Sequence, residues 1–273
     1  MDGLLNKLKE RSLIKEFTTL RKNTKKLIKD LYAEDMVVQT ENFVSPIKWH
    51  LGHTTWFFEN FLLIPYLKDY RPFDDNFNFI FNSYYNSVGP FNSRDKRGYL
   101  TRPLLSEIIK YRDFVDEHII ELFRSDQGDF QNFLMDLGIS HEQQHQELIL
   151  MDIKHIFFSN PLKPAYNKSG IEIKRKEKFS NEFILECKVK FEYGDTSNKF
   201  CYDNELPTGL TSIDPIKLSG FVTNGQWKEF IEEGGYDSHE FWLSDGWDFL
   251  NKNNINKPLY WIDKNHHFTL SGV

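Results

Sequence analysis

Apolar residues recur at helical spacing along this chain up to Pro161 and then give way to short alternating runs. In residues ~12–33, Leu13, Phe17, Leu20, Leu27, Ile28 and Leu31 fall at roughly helical spacing, which predicts an amphipathic helix. A second helix opens at Ser45-Pro46, an N-cap residue followed by proline at the first helical position. It runs through Trp49, His53, Trp56, Phe57 and Leu63 and stops near Pro65. A loop of about 35 residues follows, Lys68 to Arg102, dense in Asn, Asp, Phe and Tyr. A loop of that length inside a compact domain is functional or disordered, and the aromatic content favours an ordered, packed one. Thr101 and Pro103 open a third helix through Ile108, Tyr111, Val115, Ile119 and Phe123. The fourth runs from about Gly128 to Phe158 and carries Phe133, Leu134, Leu137, His141, His145, Leu148, Met151, Ile153 and Ile156. Four long helices with one long crossover predict a four-helix bundle.

Beyond Pro161 the texture changes. Residues 171–203 alternate in short runs that read as strands. An amphipathic stretch follows from Val222 to Ile231, then Gly234-Gly235 and a Trp-rich segment, 242–261, that reads as core. The expected fold class is therefore α+β, with a helical domain over residues 1–166 and a strand-containing one over 167–273. The run Lys174 to Lys178 reads as a solvated linker or strand face.

Composition narrows the function. The 273 residues carry a formal charge of −6, which argues against a broad nucleic-acid-binding surface. No apolar run approaches the ~18 residues of a membrane span, and the charged start MDGLLNKLKERSLIKEF does not read as a signal peptide. Two cysteines, Cys187 and Cys201, make no disulfide framework and read as unpaired. The expected compartment is the cytoplasm.

The chemical signal is His141-Glu-Gln-Gln-His145. Histidines at i and i+4 lie on one helix face, about one turn apart, and can grip one metal ion. Bundles build metal sites from inward side chains on facing helices. His53, on the face of the second helix that carries Trp49, Trp56 and Phe57, supplies a third imidazole, whereas His50 lies on a flanking face as an orienting or packing residue. His118, His155 and His239 read as surface or packing residues. The same five letters match the zinc hydrolase pattern, with Glu142 as general base. There the third ligand follows downstream, and His155 lies too far along the axis. Imidazoles suit both zinc and iron(II), so the ligand set does not choose the metal. The long loop adds Tyr84-Tyr85 and the arginines Arg94, Arg97 and Arg102.

Longer motifs carry a resemblance. SPIKWHLGHTTWFFE (45–59), YRPFDDNFNFIFNSYYNSVGP (70–90), RGYLTRP (97–103), HEQQHQELILMDIKH (141–155) and NPLKPAY (160–166) resemble the EgtB-type sulfoxide synthases of ergothioneine biosynthesis. FVTNGQWKEFIEEGGY (221–236), FWLSDGW (241–247) and KPLYW (257–261) resemble the opening of that family's second domain. The resemblance implies a DinB-like four-helix bundle followed by part of a formylglycine-generating-enzyme-like (sulfatase-modifying-factor) domain. It implies Fe(2+) and O2, and an enzyme that joins cysteine or γ-glutamylcysteine to hercynine as a sulfoxide. It would make His53, His141 and His145 the metal ligands. Gln144 would approach the hercynine imidazole, Tyr84 or Tyr85 would be the catalytic tyrosine, and Arg94 and Arg97 would hold the thiol substrate's carboxylate.

In that family the second domain continues well past the PLYW segment, so the chain reads as C-terminally truncated. A separately encoded C-terminal domain is one expected partner; nucleic acid and membrane are not. The alternatives are a selenoneine-type or thiol-dioxygenase relative, a metal-binding module without turnover and, less favoured, the zinc hydrolase.

Overall fold

The computed structural model describes residues 2–125, 127–167, 182–197 and 200–273. The chain divides into two compact units, residues 1–168 and 169–271. In the first unit, helix α1 spans Asp2–Ile28 and α2 Ile47–Phe58. A π-helical turn, Glu59–Leu63, leads into the short α3, Ile64–Tyr66. Next come α4, Phe77–Phe81, a 3-10 turn, Arg94–Tyr99, and the long helices α5, Leu105–Leu122, and α6, Asp129–Ser159. The four predicted long helices are present.

Their bounds differ in instructive ways. α1 begins ahead of its apolar stripe, because Leu, Lys, Glu and Arg before it are strong helix formers. It ends short of Leu31, where the Asp35 carboxylate accepts the Tyr32 amide at 2.9 Å and builds a turn. α5 starts after Pro103, with the Glu107 side chain accepting the Leu104 amide at 2.6 Å.

α2 is the central element, and all twelve of its residues are buried. Two glycines allow its close contacts. A Cβ on Gly52 would sit 2.2 Å from the Phe81 ring, and one on Gly138 of α6 would sit 2.5 Å from Phe58. At the end of α2 the register slips into the π turn, which turns the Glu59 carboxylate inward. There it accepts hydrogen bonds from Tyr70 Oη (2.7 Å), Tyr111 Oη (2.5 Å) and the Phe73 amide (3.0 Å).

The long loop is packed, as its aromatics predict. Three ring N–H groups on α2 anchor α4: Trp49 to the Ile80 carbonyl (3.0 Å), His53 to the Phe81 carbonyl (2.6 Å) and Trp56 to Asn78 Oδ1 (2.9 Å). Lys48, also on α2, holds the loop's end through the carbonyls of Leu100 (2.6 Å) and Pro103 (2.9 Å).

One buried ion network ties the four helices. Glu142 on α6 has a fully buried side chain and accepts from Arg21 of α1 (2.5 Å), Arg112 of α5 (2.8 Å) and Thr24 of α1 (2.6 Å). Arg112 reaches the Leu51 carbonyl and the Thr54 and Thr55 hydroxyls of α2, each at 3.0 Å. Arg21 also pairs with Asp116 at 2.7 Å.

The second unit holds two nested antiparallel pairs. Outer strand β1, Glu182–Leu185, pairs with β4, Ile216–Ser219; inner strand β2, Val189–Tyr193, pairs with β3, Gly209–Ile213. The sequence reading missed β3 and β4, and the predicted face at 174–178 lies outside the described residues. Helix α7, Asn224–Glu232, occupies the predicted amphipathic stretch and is capped by Thr223, whose hydroxyl accepts from the Gln226 amide at 3.2 Å. Helix α8, Ser244–Asn253, lies in the Trp-rich segment. That segment is only partly core: Leu250 is buried and Trp242 and Trp247 are half-buried, but Leu243 and Phe249 are exposed. Its amphipathic register turns one side of α8 to solvent. Cys187 is exposed, Cys201 is half-buried, and neither forms a disulfide.

Candidate metal centre

The stripe of α2 that carries Trp49, His53 and Trp56 faces the stripe of α6 that carries His141 and His145. Helical spacing brings each set onto one side. The ring centroids of His53, His141 and His145 lie 4.6–5.0 Å apart. One nitrogen from each falls within 4.8 Å of the others. His53 and His145 are buried and His141 is half-buried.

The rings are oriented by their outward nitrogens. His53 donates Nδ1–H to the Phe81 carbonyl, leaving Nε2 as its lone-pair nitrogen. His145 Nδ1 lies 2.8 Å from His50 Nδ1, again leaving Nε2. His141 Nδ1 is buried with no hydrogen-bond partner. Burial, the largest cause in each case, lowers the pKa of all three, His141 to about 4, so each is neutral at pH 7. Three neutral, converging imidazoles with one orphaned buried nitrogen fit a divalent cation. Both iron(II) and zinc match this donor set.

The indole of Trp49 stacks on His53, 4.5 Å between centroids and 13° from parallel, and Arg97 lies 3.3 Å over the Trp49 ring. Arg97 is buried. It donates to Ser45 Oγ (2.9 Å) and Ser83 Oγ (2.8 Å), and its Nε has no partner. Desolvation lowers its pKa to about 10, assisted by Arg94. Arg94 itself is exposed and donates to the Phe43 carbonyl. The two arginines therefore differ in setting: Arg97 is buried over the indole that stacks on His53, and Arg94 is exposed.

Tyr85 and Tyr84 also separate. Tyr85 is half-buried, with its ring 6.5 Å from His53 and 5.4 Å from Trp56. Tyr84 is 68% exposed and adopts a left-handed backbone with φ 59°, which turns it away from its neighbour's environment. Gln144 is exposed on α6.

Glu142 is unavailable as a base. It faces the arginines, which hold its carboxyl at about 2 against the desolvation that opposes them. The residue that sequence reasoning placed only as an orienting or packing side chain, His50, is enclosed between Asp152 and His145. His155 and His118 pack, against Phe43 and Phe114 respectively, and His239 is exposed.

Residues 16–149 match the DinB superfamily. The chain is similar to the hercynine oxygenase of Mycobacterium tuberculosis, 26% identical over 136 residues, which is 49% of this chain and 31% of that protein. It is similar to the Mycolicibacterium smegmatis protein of the same name at 28% over 139 residues, 49% of this chain and 31% of the relative. The Mycolicibacterium thermoresistibile hercynine oxygenase is 24% identical over 141 residues, 49% and 30%. The matched stretch thus spans under a third of these relatives' length. No helix among the described residues is long and apolar enough to cross a membrane. Residues 16–149 of the helical unit are thus similar to the DinB superfamily, and about half of the chain is similar to proteins named hercynine oxygenase.

Proposed function

We propose that the chain takes part in an iron(II)- and O2-dependent sulfoxide synthase reaction that joins cysteine or γ-glutamylcysteine to hercynine. The observation that carries the reading is the convergence of His53, His141 and His145 nitrogens within 4.8 Å inside a DinB-superfamily bundle. The curated relatives named hercynine oxygenase support the substrate class. We read the second unit as the opening of a formylglycine-generating-enzyme-like domain and the compartment as cytoplasmic.

Bound iron would supply open coordination positions and the redox chemistry that O2 requires. The chain's own residues do the rest. The three imidazoles would hold the ion in a low-dielectric pocket. Arg97 offers an unpartnered Nε and a guanidinium plane fixed on Trp49, suited to a substrate carboxylate. Tyr85 places a phenol beside the His53 ring, where it can give a proton to a reduced oxygen. Gln144 would reach the hercynine imidazole from α6, and Arg94 would add long-range attraction for the thiol substrate's carboxylate.

The test is anaerobic loading with iron(II), then hercynine with cysteine or γ-glutamylcysteine and O2, read by mass spectrometry. The expected product is the hercynine sulfoxide conjugate. Iron uptake with oxygen consumption no greater than in His141→Ala overturns the reaction.

A further inference from the structure

The Asp152–His50 pair is outside the three-histidine set, yet it forms a continuous chain into it. Asp152 Oδ2 accepts from the Ser45 amide at 2.9 Å and meets His50 Nε2 at 2.9 Å. His50 Nδ1 then meets His145 Nδ1 at 2.8 Å. Every member is buried, at 8% exposure or less. A carboxylate only accepts, so the His50 proton lies on Nε2. A neutral His50 therefore offers Nδ1 as an acceptor. His145 must donate to it from Nδ1, and its Nε2 lone pair is left for the cation. The Ser45 amide adds a second donor at the same Oδ2, in keeping with an acceptor there.

We propose that His50 and Asp152 are positioning residues that fix the tautomer and ring angle of His145, so that its Nε2 is presented to the metal. The proposal rests on the reading of His53, His141 and His145 as metal ligands. It deepens that reading, because it assigns the orientation of one ligand to a two-residue relay spanning α2 and α6. His53 obtains the same service from the Phe81 carbonyl. A backbone carbonyl is a usual outer partner of a ligating imidazole, and in the His145 case a carboxylate-oriented imidazole stands where a carboxylate or water is usual.

Cobalt(II) serves as the probe, titrated into the metal-free full chain and followed by its d–d absorbance. His50→Leu keeps the apolar volume but removes the acceptor, and it is expected to weaken cobalt binding about 10- to 100-fold. His50→Asn places an oxygen near the Nδ1 position and is expected to stay within about threefold of the parent, since one acceptor is all His145 requires. A purely packing role predicts the opposite order. Equal affinity of the Leu variant and the parent overturns the proposal, and so does an equal loss in the two variants.

A second readout needs no variant of His50. Two-bond proton–nitrogen NMR of the metal-free chain, with His145 assigned by its loss in His145→Gln, should show His145 as the Nδ1–H tautomer. An Nε2–H tautomer overturns the proposal even if His50→Leu fails to fold. Failure of the parent to take up cobalt overturns the proposal and the metal-site reading together. A chain that binds cobalt with the expected tautomer but forms no sulfoxide overturns the proposed reaction and leaves this inference standing.

Discussion

Glu142→Gln separates the two chemistries that the five-letter histidine motif permits. In the structure the Glu142 Oε1 accepts from Thr24 and Arg112, and Oε2 accepts from Arg21. A glutamine can keep the first pair through its carbonyl, but its NH2 then faces the Arg21 N–H, donor against donor. Breaking a buried ion pair by removing one charge costs about 3–5 kcal/mol, because the partner cation stays buried. Linkage gives a similar figure. The carboxyl is held at about 2 rather than 4.5, which at 1.36 kcal/mol per unit is roughly 3 kcal/mol. The sign follows from the direction: a depressed carboxyl stabilises the fold above its ordinary pKa of 4.5, and the contribution is lost as pH falls toward about 2. At neutral pH the variant should therefore unfold with about 3 kcal/mol less stability, a fall in Tm of about 6–12 °C. Urea unfolding followed by circular dichroism at 222 nm reads the helical unit, which holds the long helices. Cobalt(II) affinity should be within a few-fold of the parent. A variant as stable as the parent that loses metal-dependent activity would refute the reasoning, since it would place Glu142 at the metal instead of among the arginines.

Gly52→Ala should cost about 1–3 kcal/mol in urea unfolding. Its Cβ would lie 2.2 Å from the buried Phe81 ring, and moving Phe81 disturbs the carbonyl that orients His53, so cobalt affinity should fall too. Under the proposed function, Tyr85→Phe should lower sulfoxide formation by about 10²- to 10⁴-fold while exposed Tyr84→Phe leaves it within a few-fold; single-turnover rates decide, and the reverse ranking exchanges the two roles. Arg97→Lys loses the fork that spans Ser45 and Ser83, so KM for the thiol substrate should rise roughly tenfold with kcat little changed.

The parts of this fold that were legible in the sequence are those governed by one period. Leu13, Phe17 and Leu20, or Ile108, Val115 and Ile119, fall on stripes that only a helix satisfies, and the bundle follows from four such stripes. The histidine trio was legible for the same reason, since i and i+4 on one helix and an aromatic face on another must meet in a bundle core. Strands β3 and β4 were not. At four or five residues each, Gly209–Ile213 and Ile216–Ser219 carry too few positions for an alternation to declare itself, and most of their side chains are exposed. The relay through His50 depended on Asp152, distant in sequence, whose pairing only the tertiary fold supplies.

The ion network shows where a readable signal went unused. Arg112 falls between Ile108 and Val115, Arg21 between Phe17 and Ile28, and Glu142 between Gly138 and Ile149, each on the apolar stripe of its own helix. A lone charge at a core position is too costly to stand without a partner of opposite sign. Three such positions on three helices therefore predict one another. Asp116 completes the set: two arginines and two carboxylates sum to zero, so this network carries no net charge. That balance constrains the site. A helix advances about 100° per residue, so the turn of α6 that aims His141 and His145 at α2 aims Glu142 elsewhere, into Arg21 and Arg112. Withdrawing Glu142 to serve a metal-bound reaction would leave the buried Arg112 guanidinium without a carboxylate and Arg21 with Asp116 alone. The same five letters that support a hydrolase on another scaffold are, in this bundle, two proposed ligand positions and one structural anion.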